Sequence, residues 1–256
     1  MSIHSTAVVD NQAELDSTVE VGPYCVVGPN VSIEAGTRLL GHVNIQGPTK
    51  IGKNNIVYAF TSLGSKTQDL KYEAEPTYLE IGDHNVFRES CTVNRATGID
   101  EKTIIGSFNN FLAYSHIAHN SVVGNHCIFS NNGTLAGHVV VEDYAIIGGL
   151  SAIHQFCRVG QHAMIGGCAK IVQDVPPYFV ADGNPAAIRA INAVGLKRRD
   201  FTDEVIGHIK TAFKEIYNSE RNTTQAIDYL QETLGHIAEI KIIVDFIRNS
   251  QRGIIR

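Results

Sequence analysis

The chain has 256 residues, a hydrophobic fraction of 43%, a charged fraction of 18% and a formal net charge of −5. This composition excludes a disordered protein, and the net negative charge gives no reason to expect nucleic-acid binding. No apolar run approaches the ~18 residues that a membrane span needs. The first residues, MSIHSTAVVDNQ, lack the basic and apolar regions of a secretory signal. We therefore expect a cytoplasmic protein without a transmembrane segment.

An aliphatic or aromatic residue recurs every six positions from Ile3 to Ile171, with 27 of 29 positions apolar. The two exceptions are adjacent steps, Asp69 and Glu75. The residue four positions after each large one is usually small, and glycine often follows the large one directly. Neither a helix nor an ordinary amphipathic strand has a period of six. A repeat of this kind is typical of a β-solenoid with one inward large residue and one inward small residue per side.

The repeat resembles that of the hexapeptide acyltransferases. The resemblance implies a left-handed parallel β-helix, in which each triangular coil consists of three hexapeptides. Coils of this fold lie about 4.8 Å apart, the spacing of hydrogen-bonded strands. We assign the β-helix to residues 1–180, with an inserted loop at about 64–78, where the repeat fails.

Four cysteines occupy the small inward position of the repeat and none of them forms a CxxC pair. Buried cysteines without pairing motifs are typical of core residues in a reducing compartment. We therefore expect neither a disulfide nor a zinc role for them. They are Cys25, Cys91, Cys127 and Cys157.

After residue 175 the hexad pattern ends in VPPYFVADGNPA and amphipathic helical patterns follow. We predict a helical C-terminal domain over residues 181–256, with helices at 185–196, 202–219, 223–234 and 238–250. Thr202 and either Asn222 or Thr223 are expected as N-caps. This domain is expected to cover the open end of the β-helix.

A coil of three hexapeptides stacks each position on the matching position of the next coil. His119 therefore lies beside Gly137, with Gln155 one coil further on. Leu63 precedes Ile117 by nine hexapeptides, three coil lengths, so the loop at 64–78 should leave the β-helix along the same edge.

Four histidines come to this edge beside the long loop, which is typical of a functional site. Neutral imidazoles suit either general-base chemistry or zinc, and the loop carries polar side chains suited to a sugar or a phosphate. The histidines are His116, His119, His138 and His154, and the polar loop residues include Gln68, Asp69, Lys71 and Tyr72.

A series of motifs makes a second resemblance more specific. In order, they are TQDLKY from 67, EPT from 75, HIAH from 116, LAGHV from 135, IIGG from 146, AIHQFC from 152, QDVPPY from 173 and GLKRR from 195. Together they resemble the family of acyl-(acyl-carrier-protein)–UDP-N-acetylglucosamine O-acyltransferases, which catalyse the first step of lipid A synthesis. The resemblance covers nearly the whole chain.

The resemblance implies that His119 is the general base, which takes the proton from the sugar 3-hydroxyl as it attacks a 3-hydroxyacyl thioester. It implies that the backbone N–H of Gly137 stabilises the oxyanion. Other family positions would bind the sugar, the phosphates and the rest of the substrates. They are Gln68, Asp69, Lys71, His116, His138, His154, Gln155, Asn192, Arg198 and Arg199.

The family also implies a homotrimer with clefts between neighbouring chains, an acyl carrier protein as partner and no cofactor or metal. Carrier proteins are acidic, so the basic GLKRR segment would attract one. Gly167 falls at the position that limits acyl-chain length, where a glycine leaves room for a long chain.

Three positions depart from the family pattern. Asn120 stands where an aspartate usually follows the catalytic histidine, which predicts either a weaker base or an acid supplied from elsewhere. Asn94 replaces a histidine on the substrate side, and Val194 replaces an acidic residue that contacts the nucleotide. These differences leave open whether the acceptor is a hydroxyl or a 3-amino sugar.

Three other interpretations of the sequence are considered, and they differ in what they predict. A zinc enzyme of the γ-carbonic anhydrase kind would use imidazoles such as His116, His119 and His138 across a subunit interface, and predicts stoichiometric zinc. A purely structural solenoid predicts no activity that depends on His119. The related N-acyltransferase carries an extra N-terminal domain, for which hexads that begin at Ile3 leave no room.

Overall fold

A computed structural model describes residues 2–256. Within residues 2–256, the chain forms 28 short strands followed by four helices. In chain order the strands are β1 (Ser2–Ile3), β2 (Val8–Val9), β3 (Glu14–Leu15), β4 (Glu20–Val21), β5 (Val26–Val27), β6 (Val31–Ile33), β7 (Arg38–Leu39), β8 (Asn44–Ile45), β9 (Thr49–Ile51), β10 (Ile56–Val57), β11 (Ser62–Ser65), β12 (Tyr78–Ile81), β13 (Val86–Phe87), β14 (Thr92–Asn94), β15 (Lys102–Ile105), β16 (Asn110–Phe111), β17 (His116–Ile117), β18 (Val122–Val123), β19 (Ile128–Phe129), β20 (Thr134–Leu135), β21 (Val140–Val141), β22 (Ile146–Ile147), β23 (Ala152–Ile153), β24 (Arg158–Val159), β25 (Met164–Ile165), β26 (Lys170–Ile171), β27 (Phe179–Gly183) and β28 (Ala186–Ile191).

Successive strands from β1 to β26 belong in turn to three different sheets, and each strand from β1 to β23 pairs in parallel with the strand three places later. The first sheet begins with β1, the second with β2 and the third with β3. Pairs such as His116 with Thr134 and Ile117 with Leu135 show the predicted spacing of three hexapeptides. The chain is therefore a parallel β-helix of triangular coils, as the six-residue repeat predicted.

The core lies inside the triangle. The large residues of the repeat point inward, as with Ile117 and Leu135, which are 1% and 0% exposed. Phe87, Phe111 and Phe129 stack along the axis with ring centroids 4.8 and 4.9 Å apart. The four predicted core cysteines are buried and free, and burial raises the pKa of Cys91 to about 11.

The corners of the coils place one residue in six in the left-handed backbone region. Asn120, His138 and Phe156 have φ values of 61°, 61° and 65° and follow one another along one corner. Non-glycine residues rarely adopt this conformation. Here the hydrogen bonds of the coils on either side hold them in it, such as the bond from His138 N–H to the His119 carbonyl at 3.0 Å.

Two insertions interrupt the coils where the chain passes from the second sheet to the third. The first lies between β11 and β12 and lengthens its coil to five hexapeptides, as Ile51 pairs with Ile81. The second lies between β14 and β15 and lengthens its coil to four hexapeptides, as Ile81 pairs with Ile105. Leu63 is consequently two coils from Ile117, so the expected separation of three coils is wrong.

Ile99 was expected in the core because it matches the repeat, but its side chain is 72% exposed. It lies in the second insertion, which adds one full period of the repeat. The insertion therefore carries Ile99 out of the coil without changing the phase of the residues that follow.

The predicted helix at 185–196 is wrong over most of its length. Residues Ala186–Ile191 form β28, which pairs antiparallel with β27. β27 in turn pairs with β25, so the first sheet continues past residue 180. Only Ala193–Lys197 is helical, which is α1, because the Asn192 side chain accepts from Gly195 N–H and starts the helix there.

The other helices follow the prediction. They are α2 (Asp203–Tyr217), α3 (Thr223–Leu234) and α4 (Ala238–Arg248). Thr202 caps α2 and Asn222 caps α3, the latter in a capping box with Gln225. Their apolar faces form a second core with Tyr178 and Phe179 at the end of the β-helix. Within residues 2–256, no helix is both long enough and apolar enough to span a membrane.

Candidate active site

The corner between the second and third sheets, here called the site edge, carries both insertions and His119. Ile117 points into the core at the end of β17, and His119 follows two residues later, with its side chain 15% exposed. The H-x-x-H motif therefore spans a strand end and a corner and does not lie on one face of a helix.

Asn120 fixes the orientation of the His119 ring. Its Oδ1 lies 2.8 Å from His119 Nδ1 and accepts from the backbone N–H of Thr97 at 2.9 Å. Its Nδ2 donates to the carbonyl of Thr97 at 3.1 Å. Because a peptide N–H only donates and a carbonyl only accepts, the Thr97 peptide settles which end of the amide faces the ring. His119 must then donate from Nδ1, which leaves the lone pair on Nε2.

Gly137 lies against the His119 ring on the next coil, as the spacing of one coil predicted. A Cβ at this position would be 2.5 Å from both Nε2 and Cε1 of His119. The imidazole can occupy its place only because residue 137 has no side chain. The Gly137 N–H donates to no acceptor within residues 2–256, so it is free to bind a ligand.

The first insertion brings its polar residues to the same edge. Asp69 Oδ2 lies 4.0 Å from His119 Nε2, and the backbone N–H of Asp69 is held by Thr67 Oγ1 at 3.0 Å. Together the loop and three coils form an open groove of about 650 Å³. It is lined by Gln68, Asp69, Leu70, Lys71, His116, Ala118, His119, Thr134, Leu135, Ala136, Gly137 and Gln155.

Three other histidines lie around His119 at the site edge, and two of them, His116 and His138, have a lowered pKa. Burial, with a smaller contribution from His119, lowers the pKa of His116, whose Nδ1 lies 2.7 Å from Thr92 Oγ1. The ring of His138 meets that of His119 edge-on at 5.3 Å, and burial followed by the charge of His119 lowers its pKa as well. His154 is exposed beside the groove, with Nδ1 3.1 Å from the Gln155 carbonyl.

Four predicted site residues lie away from this groove in the single chain. Gly167 is at the corner between the first and second sheets, where it faces the Gly149 carbonyl. Arg199 stacks over the ring of Tyr144 at 4.4 Å, at the corner between the third and first sheets. Arg198 is exposed beside it. Asn192 is 6% exposed and donates to the His162 carbonyl at 2.9 Å while it caps α1.

The sequence did not reveal Thr97, which orients Asn120. An insertion is normally visible in the sequence as a break in the six-residue repeat. The second insertion, which contains Thr97, produces no break because its length is one period of the repeat. Asn94, at the start of this insertion, is 4% exposed and donates to the Lys66 carbonyl at 3.2 Å. Asn94 therefore connects the two insertions. This contact is a structural consequence of having asparagine where the family pattern has histidine.

Relatives of this chain share one activity in their names. A model of the family "Udp N-acetylglucosamine O-acyltransferase; Domain 2" matches residues 174–255. An acyl-(acyl-carrier-protein)–UDP-N-acetylglucosamine O-acyltransferase from Thermodesulfovibrio yellowstonii is 48% identical over 255 residues, 99% of each chain. The enzyme of that name from Stutzerimonas stutzeri is 44% identical over 255 residues, again 99% of each. The chain belongs to this family.

Solved structures of the family confirm the fold. The enzyme from Acinetobacter baumannii superposes with a TM-score of 0.96 at 44% identity over 99% of both chains. The one from Bacteroides fragilis has a TM-score of 0.97 at 38% identity, over 99% of this chain and all of the other. The left-handed winding expected from the repeat is therefore correct, and the protein is an acyltransferase.

Membership of this acyltransferase family favours acyl transfer over the zinc and structural interpretations. In the part of one chain that the structure describes, no three histidine, cysteine or acidic side chains are placed to hold a metal ion together.

Proposed function

We propose that the enzyme transfers a 3-hydroxyacyl chain from acyl carrier protein to the 3-hydroxyl of UDP-N-acetylglucosamine, the first step of lipid A synthesis. The observation that carries the proposal is the arrangement at His119. Its Nδ1 is engaged by Asn120 at 2.8 Å, and its Nε2 faces the groove next to the backbone of Gly137. A basic nitrogen and an unused N–H thus lie side by side, as acyl transfer requires.

In the proposed reaction, Nε2 of His119 takes the proton of the sugar hydroxyl as its oxygen attacks the thioester carbonyl. The negative charge that develops on the carbonyl oxygen is stabilised by the Gly137 N–H. The tetrahedral intermediate collapses with cleavage of the carbon–sulfur bond. The proton on His119 then passes to the leaving thiolate, which restores the free base.

The other predicted residues in and beside the groove are proposed to hold the substrates. Asp69, Lys71 and His138 would bind the sugar and its phosphates, and Gln68, His116, His154 and Gln155 would line the rest of the cleft. A 3-amino sugar nucleotide would fit the same chemistry, because His119 can also accept the proton of an attacking amine.

The positions of the remaining site residues support a homotrimer. Within one chain, the site edge does not carry Gly167, Asn192, Arg198 or Arg199, which lie at two other corners. A neighbouring chain packed beside the site edge would bring such corners to the groove. Arg198 and Arg199 would then bind phosphates through paired N–H groups, Asn192 would contact the nucleotide, and Gly167 would leave room for a long acyl chain. A cytoplasmic location agrees with the free cysteines of the core.

An acyl-transfer assay tests the proposal. Wild type and His119→Ala are offered UDP-N-acetylglucosamine, or its 3-amino analogue, with a panel of 3-hydroxyacyl carrier proteins. Loss of the base should lower kcat by about 10²- to 10⁴-fold. His42→Ala is the matched control, because His42 stacks between Tyr24 and Phe60 at a different corner. Full activity of His119→Ala would reject the mechanism, and stoichiometric zinc in the purified protein would favour the zinc interpretation.

A further inference from the structure

Glu101 in the second insertion contacts the residue that orients the proposed base. Its carboxylate Oε2 accepts a hydrogen bond from Asn120 Nδ2, whose amide oxygen faces His119 Nδ1. A chain of hydrogen bonds therefore connects the Glu101 carboxylate, the Asn120 amide and the His119 imidazole. The chain ends on the nitrogen opposite the one that faces the groove.

We propose that Glu101 is a positioning residue that supplies, through the Asn120 amide, the negative charge that an acid directly after His119 would otherwise provide. This inference rests on the proposed role of His119 as the general base. The carboxylate polarises the amide, so Oδ1 becomes a stronger acceptor for Nδ1–H. The effect is largest when the ring becomes imidazolium after taking the substrate proton.

The surroundings of Glu101 leave its charge available for this role. Among the described residues no lysine or arginine lies within ion-pair distance of Glu101. The neighbouring Lys102 is paired with Glu80 instead, at 2.6 Å. The Glu101 side chain hydrogen-bonds to Asn120 alone within residues 2–256. No cation in the described part of the chain therefore offsets the carboxylate at the end of the hydrogen-bond chain.

The local backbone is built to hold the intervening amide. Asn120 has a φ of 61° and its N–H donates to Thr103 Oγ1 at 2.9 Å. The Thr97 peptide engages both ends of its side chain. Thr97 and Glu101 both belong to the second insertion, and a coil of ordinary length would lack it. The second insertion thus supplies both the Thr97 peptide that holds the amide and the Glu101 carboxylate that accepts from it.

Besides Asn120, the side chains of Asp69 and His138 face the imidazole, and they remain the same in every variant below. Asp69 lies 4.0 Å from Nε2, and the ring of His138 meets it edge-on. A change seen when Glu101 alone is altered therefore reports on the Nδ1 side.

The test compares Glu101→Gln in two backgrounds. In the native background, removal of the charge should lower kcat about threefold to tenfold with KM for UDP-N-acetylglucosamine unchanged. The upper value is the difference between hydrogen bonds with and without a charged partner, and solvent reduces it because Glu101 is exposed.

In an Asn120→Asp background the carboxylate contacts His119 directly. Glu101→Gln should then change kcat by less than twofold, because the charge no longer has to act through an amide. Asn120→Asp alone should stay active, since two adjacent carboxyl groups share a proton and keep one negative charge.

Glu75→Gln is the matched control, because the Glu75 carboxylate also holds the second insertion, through Gly98 N–H at 3.0 Å, but does not contact Asn120. Equal losses of kcat in Glu75→Gln and Glu101→Gln, equal losses from Glu101→Gln in both backgrounds, or wild-type kcat in Glu101→Gln would overturn the proposal. Activity in His119→Ala would instead reject the general base itself, so the two failures are distinguishable.

Discussion

Gly137→Ala tests how tightly the backbone and the proposed base are packed. The added methyl carbon would stand 2.5 Å from Nε2 and Cε1 of His119 and 3.2 Å from Cδ2. Ordinary van der Waals contact begins near 3.4 Å, so the ring must move by ~1 Å. Asn120 holds Nδ1 at 2.8 Å, and a shift of that size breaks this hydrogen bond.

A displacement of ~1 Å in a catalytic group costs about 100-fold in rate, which corresponds to ~2.7 kcal/mol of transition-state stabilisation. The lost hydrogen bond should cost only about 1 kcal/mol in the free energy of unfolding, or about 2–4 °C in Tm for a chain of this size. We therefore expect kcat of Gly137→Ala to fall about 100-fold while the protein remains folded.

The measurement combines steady-state acyl transfer with thermal unfolding. Gly41→Ala is the control, because Gly41 also directly precedes a left-handed corner residue, His42. A Cβ there would meet nothing closer than the Pro23 carbonyl at 3.4 Å, so both kcat and Tm should stay near wild type. Wild-type kcat in Gly137→Ala would show that the ring does not need its position beside Gly137.

Three further results are expected. Burial, with a smaller contribution from Arg199, lowers the pKa of His162 from 6.5 to about 4, so the unfolded chain binds this proton more tightly. Stability linked to the neutral ring is then present above pH 6.5 and lost as pH falls toward 4, by about 2 kcal/mol at pH 5. His162→Phe should shrink the difference in Tm between pH 8 and pH 5, and an unchanged difference would contradict this. Phe111→Ala, in the middle of the core stack, should cost about 3–5 kcal/mol in chemical denaturation, and a loss below about 1 kcal/mol would show that the core closes around the cavity. Lys71→Met should raise KM for the sugar nucleotide about tenfold, as loss of one charged contact implies, whereas a change in kcat alone would argue against a binding role.

The β-helix and the stacking of His119 beside Gly137 could both be predicted from the sequence. Positions that stack in ordinary coils are always three hexapeptides apart. Residues that are neighbours in space can therefore be identified by counting along the sequence. The position of the first insertion followed in the same way, since Asp69 and Glu75 interrupt the apolar pattern.

The strand at Ala186–Ile191 could not be predicted in this way. Its sequence, AAIRAI, is compatible with a helix, and it becomes a strand because β27 offers its free edge in an antiparallel pair. Such pairing depends on where the two segments meet in the folded chain, which the secondary-structure propensity of a segment does not encode.

The environment of the base depended on the tertiary structure even more. Ile99 keeps the phase of the repeat, so the sequence alone places it in the core and conceals the second insertion around it. Only the folded chain brings Thr97 and Glu101 to Asn120 across the corner. The coil and the position of His119 on it can be read from the amino-acid sequence, because both follow from the six-residue period. The groups that orient His119 and place a charge near it depend on tertiary contacts, because they come from a segment that departs from this period.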